Sequence, residues 1–303
     1  MASLQKTYFA LLGKERAVPN ARDVKNLQDH LTVLLIGPPG AGKTTQYHTL
    51  GGRGFIYIFD PNALASLAGL DVDYEIFSSD LLDINVHPLA SKTRDGKQEI
   101  KPDKVVKTPE PLAYTQWEEH YERGVKDGLF KDYDWIGFDS FTTFSDAVMD
   151  RVMWLNGRFG KQPEQDDWST QRQTILSVAR SITANNKLWV ATAHEELVQD
   201  KVSGRTTYQP VLTGKLKIRI PLLFSCIYRC GSDEDGFYFN TVSDKMHPYI
   251  RSSIKGLERD IDVSIPVKNK EFVNPQEHGL GKILRDAGYL SAPHKSDTPK
   301  KGK

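Results

Sequence analysis

Residues 37–45 read GPPGAGKTT, and within them Gly37, Gly42, Lys43 and Thr44 meet the spacing G-x-x-x-x-G-K-[ST]. The chemistry of such a stretch is anion capture. Gly37, Pro38, Pro39, Gly40, Ala41 and Gly42 supply a loop whose backbone N–H groups can close around phosphates. Lys43 has the reach for β- and γ-phosphoryl oxygens, and the hydroxyl of Thr44, followed by Thr45, suits a Mg²⁺ ion. An apolar run precedes the loop and a helical pattern follows it, so the partial charge of a helix N-terminus adds to the site. A glycine turn with a stray lysine would not come with those flanks.

A magnesium–phosphate site needs a second hard oxygen ligand, expected at the end of another buried strand. In YDWIGFDS, Asp139 closes an apolar run and is followed by Ser140, whereas Asp134 lies at the opposite end of that run. An aspartate at such a place also commonly caps a following helix. Further on, LWVATAHEE puts Thr192, His194 and Glu195 at the tip of a later strand, where a polar group can touch a γ-phosphate or its attacking water. The plain alternative is a cap or a solvated turn. A metal-ligand role for His194 is disfavoured, because no His or Cys partner has suitable spacing.

The elements that must carry these residues are legible as short apolar runs: VLLIG (33–37), FIYIF (55–59), WIGF (135–138) and LWVATA (188–193). They are bounded by turn residues and alternate with helical patterns, as parallel strands buried on both faces do. Phe141, Phe144, Val148, Val152 and Leu155 fall at helical spacing, as do Trp168, Ile175, Val178 and Ile182. LLFSCIY (222–228) and FYFNTV (237–242), joined by GSDEDG, predict an antiparallel hairpin. In TGKLKIRIP (213–221), Lys215, Lys217 and Arg219 alternate with apolar residues, which predicts a strand with one basic face. GLGKILRDAGYL (279–290) predicts a short amphipathic helix with Leu280, Ile283, Leu284 and Ala287 on one face.

Forty basic against thirty-nine acidic residues leave a net charge of +1, so no global field draws the chain to nucleic acid and any such contact must be local. Cys226 and Cys230 lie in an apolar run and read as buried free thiols, too few for a disulfide framework. The N-terminus lacks the pattern of a signal peptide and no stretch has the roughly 20 apolar residues of a bilayer span, so the sequence predicts a cytoplasmic protein. The predicted organisation is an N-terminal segment (1–30), a core (31–255) interrupted by a charged, proline-bearing surface loop (84–111), an extension with a short helix (256–290), and a disordered basic tail (291–303).

Together, LLIGPPGAGKTT, FIYIFDPNALASL, YDWIGFDS, ATAHEE and YQPVLTGKLKIRIP resemble RecA-like P-loop ATPases, over roughly residues 31–255. The likeness is nearest to small phage-encoded ATP-binding proteins associated with recombination and single-strand annealing. It implies an α/β fold, a mostly parallel sheet flanked by helices with a C-terminal β-hairpin extension, and ATP and Mg²⁺ as cofactors. It also implies a ring or filament of identical subunits, with single-stranded DNA and a single-strand binding protein as partners. The segments matching the family's DNA loops are 155–167, with Arg158, Phe159 and Lys161, and 199–210, with Lys201 and Arg205. These can pair phosphates and stack a base, or be solvated loops, since each also carries acids. Lys215, Lys217 and Arg219 would, by the same likeness, reach a neighbour's γ-phosphate; otherwise they guard an edge strand.

One departure from the family pattern is specific. Where its members place a glutamate after the second strand, this chain has Asp60, Pro61 and Asn62. Asp60 is a shorter carboxylate that can still accept a proton, and Asn62 can only orient a water. Glu195 is a further candidate base, although the direction at the strand end points it away from the phosphate. The sequence thus predicts a slow ATPase with Lys43, Asp60, Asp139, His194 and Glu195 as its catalytic set. A nucleotide-dependent recruitment module without turnover and a P-loop small-molecule kinase are the alternatives, the latter weakened because Arg94 is the only arginine of the 84–111 loop.

Overall fold

The computed structural model describes residues 31–77, 110–185, 187–201 and 204–291. The expectations for 1–30, for most of the 84–111 loop and for the tail beyond 291 lie outside the described residues.

A nine-stranded sheet forms the centre of the molecule. Its strands are β1 (Thr32–Gly37), β2 (Gly54–Ile58), β3 (Asp73–Ile76), β4 (Trp135–Asp139), β5 (Leu188–Gln199), β6 (Thr206–Pro210), β7 (Cys226–Asp233), β8 (Gly236–Asn240) and β9 (Asp260–Asp262). The order across the sheet is β3-β2-β4-β5-β1-β7-β8-β9, with β6 paired to the far end of β5. The first six strands of that order run parallel, and β8 and β9 close the edge antiparallel. The sequence explains the arrangement: β1, β2 and β4 are buried along their whole length, which only a sheet covered on both faces allows.

The period-two alternation within β1 divides the core. Leu34 and Ile36 face one layer, with helices α2 (Ala113–Asp127), α3 (Phe141–Leu155) and α4 (Gln165–Ala184). Val33 and Leu35 face the other, with α1 (Ala63–Leu67) and the 3₁₀ turn Thr44–Thr49 that follows the glycine-rich loop. Ser140 caps α3, accepting from the Thr143 backbone N–H in a reciprocal capping box, so the aspartate before it stands at the strand end.

Two sequence expectations change here. Residues 213–221 do not form a basic-faced strand. Leu216–Arg219 make one short helical turn (α5), in which Leu216 and, four residues on, Ile220 are buried while Lys215 and Arg219 are exposed. Gly214 and Pro221 bound the segment too closely for a ladder, and helical spacing of the two buried residues overrides the apparent alternation. Likewise, 199–210 is mostly ordered pairing: β5 runs on to Gln199 and returns through β6, with Val198 opposite Thr207. The predicted hairpin is present as β7 and β8, but it starts at Cys226, after a 3₁₀ turn at Pro221–Leu223, and β7 lies against β1 in the main sheet.

The amphipathic C-terminal segment forms α6 (Gly279–Asp286) and docks on this chain's own core. The backbone N–H groups of Leu280 and Gly281 donate to Gln46 Oε1 at 2.9 Å and Thr49 Oγ1 at 2.8 Å. Arg285 donates to the carbonyls of Leu50 and Thr49, each at 2.9 Å. The helix therefore braces the turn that carries Lys43 and Thr44. A Cβ on Gly281 would lie 1.7 Å from the Thr49 carbonyl oxygen. Gly281→Ala is accordingly expected to lower stability by about 2–3 kcal/mol through overpacking against backbone, read as a lower urea midpoint with unchanged slope.

Candidate active site

Strand register brings the site together. Gly37 is level with His194 across β1 and β5, and Ile58 is level with Asp139 across β2 and β4. The loop after β1, the turn after β2 and the ends of β4 and β5 thus open at the same edge, the carboxyl end of the parallel strands, where open α/β sheets bind ligands. There a cleft of about 450 Å³ is lined by Pro39–Thr45, Asp60, Asn62, Ala63, Ser66, Asp139, His194 and Phe237.

The loop is shaped for close approach. Gly40 and Gly42 hold φ of 78° and 74°, where side-chain-bearing residues are strained. A Cβ on Gly37 would stand 2.4 Å from the Cys230 carbonyl oxygen, so the start of the loop tolerates only glycine. Ala41 is buried beneath it, and Thr44 opens the 3₁₀ turn, followed by Thr45.

Lys43, 7% exposed, donates from Nζ to the carbonyls of Gly37 at 2.9 Å and Pro38 at 2.8 Å, with His194 Nδ1 at 3.5 Å. Burial pushes its ammonium pKa down, and Asp139 and Asp60 are among the groups that oppose the shift. Thr44 Oγ1 donates to Asp139 Oδ2 at 2.6 Å, and Thr192 Oγ1 donates to Asp139 Oδ1 at 2.7 Å. Asp139 is buried and its carboxyl pKa is raised by desolvation, against the pull of those two hydroxyls. A carboxylate and a threonine hydroxyl meeting at the foot of a phosphate loop are hard oxygen donors of the kind Mg²⁺ takes. The residues present therefore fit both a nucleotide triphosphate and that ion.

Asp60 borders the same cleft. Its Oδ1 accepts from the backbone N–H and the side-chain amide of Asn62, both at 3.0 Å. Its Oδ2 has no hydrogen-bond partner among the described residues. Asn62 thus holds the carboxylate in one orientation, a role its sequence position alone does not reveal.

His194 has its backbone N–H on Thr142 Oγ1 at 3.0 Å, a contact between β5 and α3 that no local motif announces. Desolvation, and secondarily Lys43, depress its pKa below the ordinary 6.5. Well above pH 6.5 neither the folded nor the unfolded chain holds a proton there. As pH falls through that value the unfolded chain takes one up while the cleft resists, so folding stability is lost. His48 and His120 are also depressed by burial and act with the same sign. The difference between wild type and His194→Gln isolates the one residue: the variant is expected to lose less stability between about pH 7.5 and 5.5, by a fraction of about 1.4 kcal/mol per pH unit.

Glu195 is turned away from the cleft. Its side chain, 2% exposed, receives Arg229 in a bidentate pair, with Nη2 at 2.9 Å and Nε at 3.1 Å from both oxygens. Tyr249 Oη donates at 3.4 Å. A carboxylate committed in this way is a structural anchor of β5 on β7, which leaves Asp60, among the described residues, as the cleft carboxylate with an oxygen that has no hydrogen-bond partner.

The residues matched to DNA loops are apart from the cleft. Arg158 donates to buried Asp167 from Nε at 2.9 Å and Nη2 at 2.5 Å, and Glu164 lies 3.5 Å from Nη1. The guanidinium holds the Asp167 carboxyl well below the usual range, so Arg158 is an organiser of the α3–α4 turn. Phe159 is half-buried and Lys161 exposed on that turn. Lys201 and Arg205 are exposed where β5 turns toward β6, and Arg205 Nη2 donates to the Lys245 carbonyl at 2.9 Å. On α5, Lys217 pairs with Glu196, and none of Lys215, Lys217 and Arg219 lines the chain's own cleft. No helix among the described residues is long and apolar enough to cross a membrane.

The sequence profile of the family described as an AAA domain matches residues 29–250. Curated proteins gave no match. Among solved structures, the chain is similar at 12% identity and a TM-score of 0.35 to a prototypical ATPase from the type III secretion system of pathogenic bacteria. The match covers 68% of this chain and 53% of that one, so the chain spans about half the length of that structure.

Proposed function

The chain belongs to the AAA-domain family, and we propose that it binds Mg²⁺–ATP in the cleft above β1 and hydrolyses it slowly, with turnover answering to single-stranded DNA in a recombination or annealing role. The observation that supports the ATPase reading most is the convergence of Lys43 and Thr44, Asp60 and Asp139 from three separate segments on one cleft.

The backbone of residues 38–42 and the Lys43 ammonium hold the β- and γ-phosphoryl groups, and Thr44 with Asp139 hold the ion. When bound, Mg²⁺ supplies charge neutralisation on the phosphoryl oxygens. The free oxygen of Asp60 orients the attacking water and takes its proton. His194, neutral and 3.5 Å from Lys43 at Nδ1, would sense the γ-phosphate by donating its ring N–H to it. The reading of slow turnover rests on the shorter reach of Asp60 compared with glutamate, since much of phosphoryl transfer depends on positioning.

The DNA partner rests on the family resemblance and on the exposed Lys161, Lys201 and Arg205. By the same resemblance, Lys215 and Arg219 would reach a neighbouring subunit's γ-phosphate in a homo-oligomer, a reading supported by their exposure and by their absence from their own cleft. Phosphate release with Mg²⁺–ATP, with and without single-stranded DNA, tests this. Stimulation by DNA supports it; equal rates in both conditions would remove the DNA role and leave an ATPase of other purpose.

A further inference from the structure

Phe237 is out of place for a core residue. It sits on β8 with 37% of its surface exposed, while Phe239, two residues on and on the same face, is fully buried. Its backbone is fixed: its N–H donates to Ser264 Oγ at 2.9 Å and its carbonyl accepts from the Val263 N–H at 2.9 Å. Its ring rests against the phosphate loop, since a Cβ on Gly42 would lie 3.0 Å from Phe237 Cδ1. Among the described residues it is the one phenyl, phenol or indole ring lining the cleft.

Apart from Pro39, the loop glycines, Ala41 and Ala63, the remainder of the cleft is polar. Lys43, Thr44, Asp139, Asp60 and His194 account for phosphate, metal and water, and none of them offers a flat apolar face to the rest of a nucleotide. A phosphate-only site has no use for a half-exposed ring pinned over its loop.

We propose that Phe237 is the base platform of the site, stacking on the nucleobase of the bound nucleoside triphosphate once its phosphates are seated. This rests on the nucleotide reading given above and adds where affinity beyond the phosphates comes from. Stacking is tolerant of base identity because every base has a π-face. Phe237 therefore contributes to affinity for adenine and guanine nucleotides alike and does not choose between them.

The experiment is calorimetric binding to the full chain, with Mg²⁺, of the β,γ-imido analogues of ATP and GTP and of inorganic tripolyphosphate. Phe237→Ala and Phe237→Leu are expected to weaken both nucleotide analogues by tenfold or more and by similar factors. Tripolyphosphate should bind all forms equally, and Phe237→Trp should bind the nucleotides like wild type. The leucine variant keeps apolar bulk, so its loss marks stacking and not packing. Nucleotide affinity unchanged in Phe237→Ala overturns the proposal, as does an equal loss of tripolyphosphate, which would make the ring a support for Gly42. Wild-type protein that binds neither analogue would bring down the nucleotide reading itself, and the platform with it.

Discussion

Lys43→Ala is expected to remove nucleotide binding and turnover together, with phosphate release falling at least about 10²–10³-fold, while the protein still melts cooperatively. Lys43 Nζ is held by the Gly37 and Pro38 carbonyls and, being desolvated, carries a charge that water does not compete for. A γ-phosphate entering the loop meets that charge at low local dielectric, where it is worth most. Because the ammonium's lowered pKa marks a cost of burying it, its removal does not take a stabilising ion from the fold. A variant that kept wild-type turnover would place the phosphate elsewhere. Calorimetric binding and phosphate release on the same preparation decide the matter.

Arg229→Met is expected to be the more damaging change to the fold, costing about 3–5 kcal/mol in urea unfolding. It strands the Glu195 carboxylate, 2% exposed, without its guanidinium partner. Glu195→Gln combined with Arg229→Met should recover much of that loss, because a neutral pair no longer leaves a buried charge alone. Equal stability of Arg229→Met and wild type would contradict the anchor role given to Glu195. The result also bears on catalysis, since a carboxylate free to leave Arg229 would compete with Asp60 as base.

How much of this was legible in the sequence depended on distance along the chain. The glycine-rich loop is contiguous, and its neighbouring apolar run, 33–37, is β1 to within one residue. The strand ends that present Asp60, Asp139 and His194 were likewise visible, because β2, β4 and the first half of β5 are buried on both faces and read as plain apolar runs. What escaped were relations set by tertiary contact. Arg158 looks like a phosphate ligand until Asp167 is seen beneath it, and the partner that holds Glu195 away from the cleft, Arg229, arrives from β7. The mixed, partly polar strand Thr206–Pro210 gives a weak pattern and borrows its order from β5. The basic segment 213–221 misled for the opposite reason: its period of two was stronger on paper than the buried Leu216 and Ile220 allow. Phe237 lies far from the phosphate loop in sequence, and only the pairing of β7 with β1 brings the β7–β8 hairpin to that loop.

The measurement that tests the central claim most directly is single-turnover hydrolysis of Mg²⁺–ATP by wild type and Asp60→Asn, with ATP affinity measured alongside. The account predicts that both forms bind ATP equally, that wild type releases phosphate, and that Asp60→Asn does so about 10²-fold more slowly or worse. Wild-type protein that binds ATP yet releases no phosphate, with or without single-stranded DNA, would contradict it and make the cleft a nucleotide sensor.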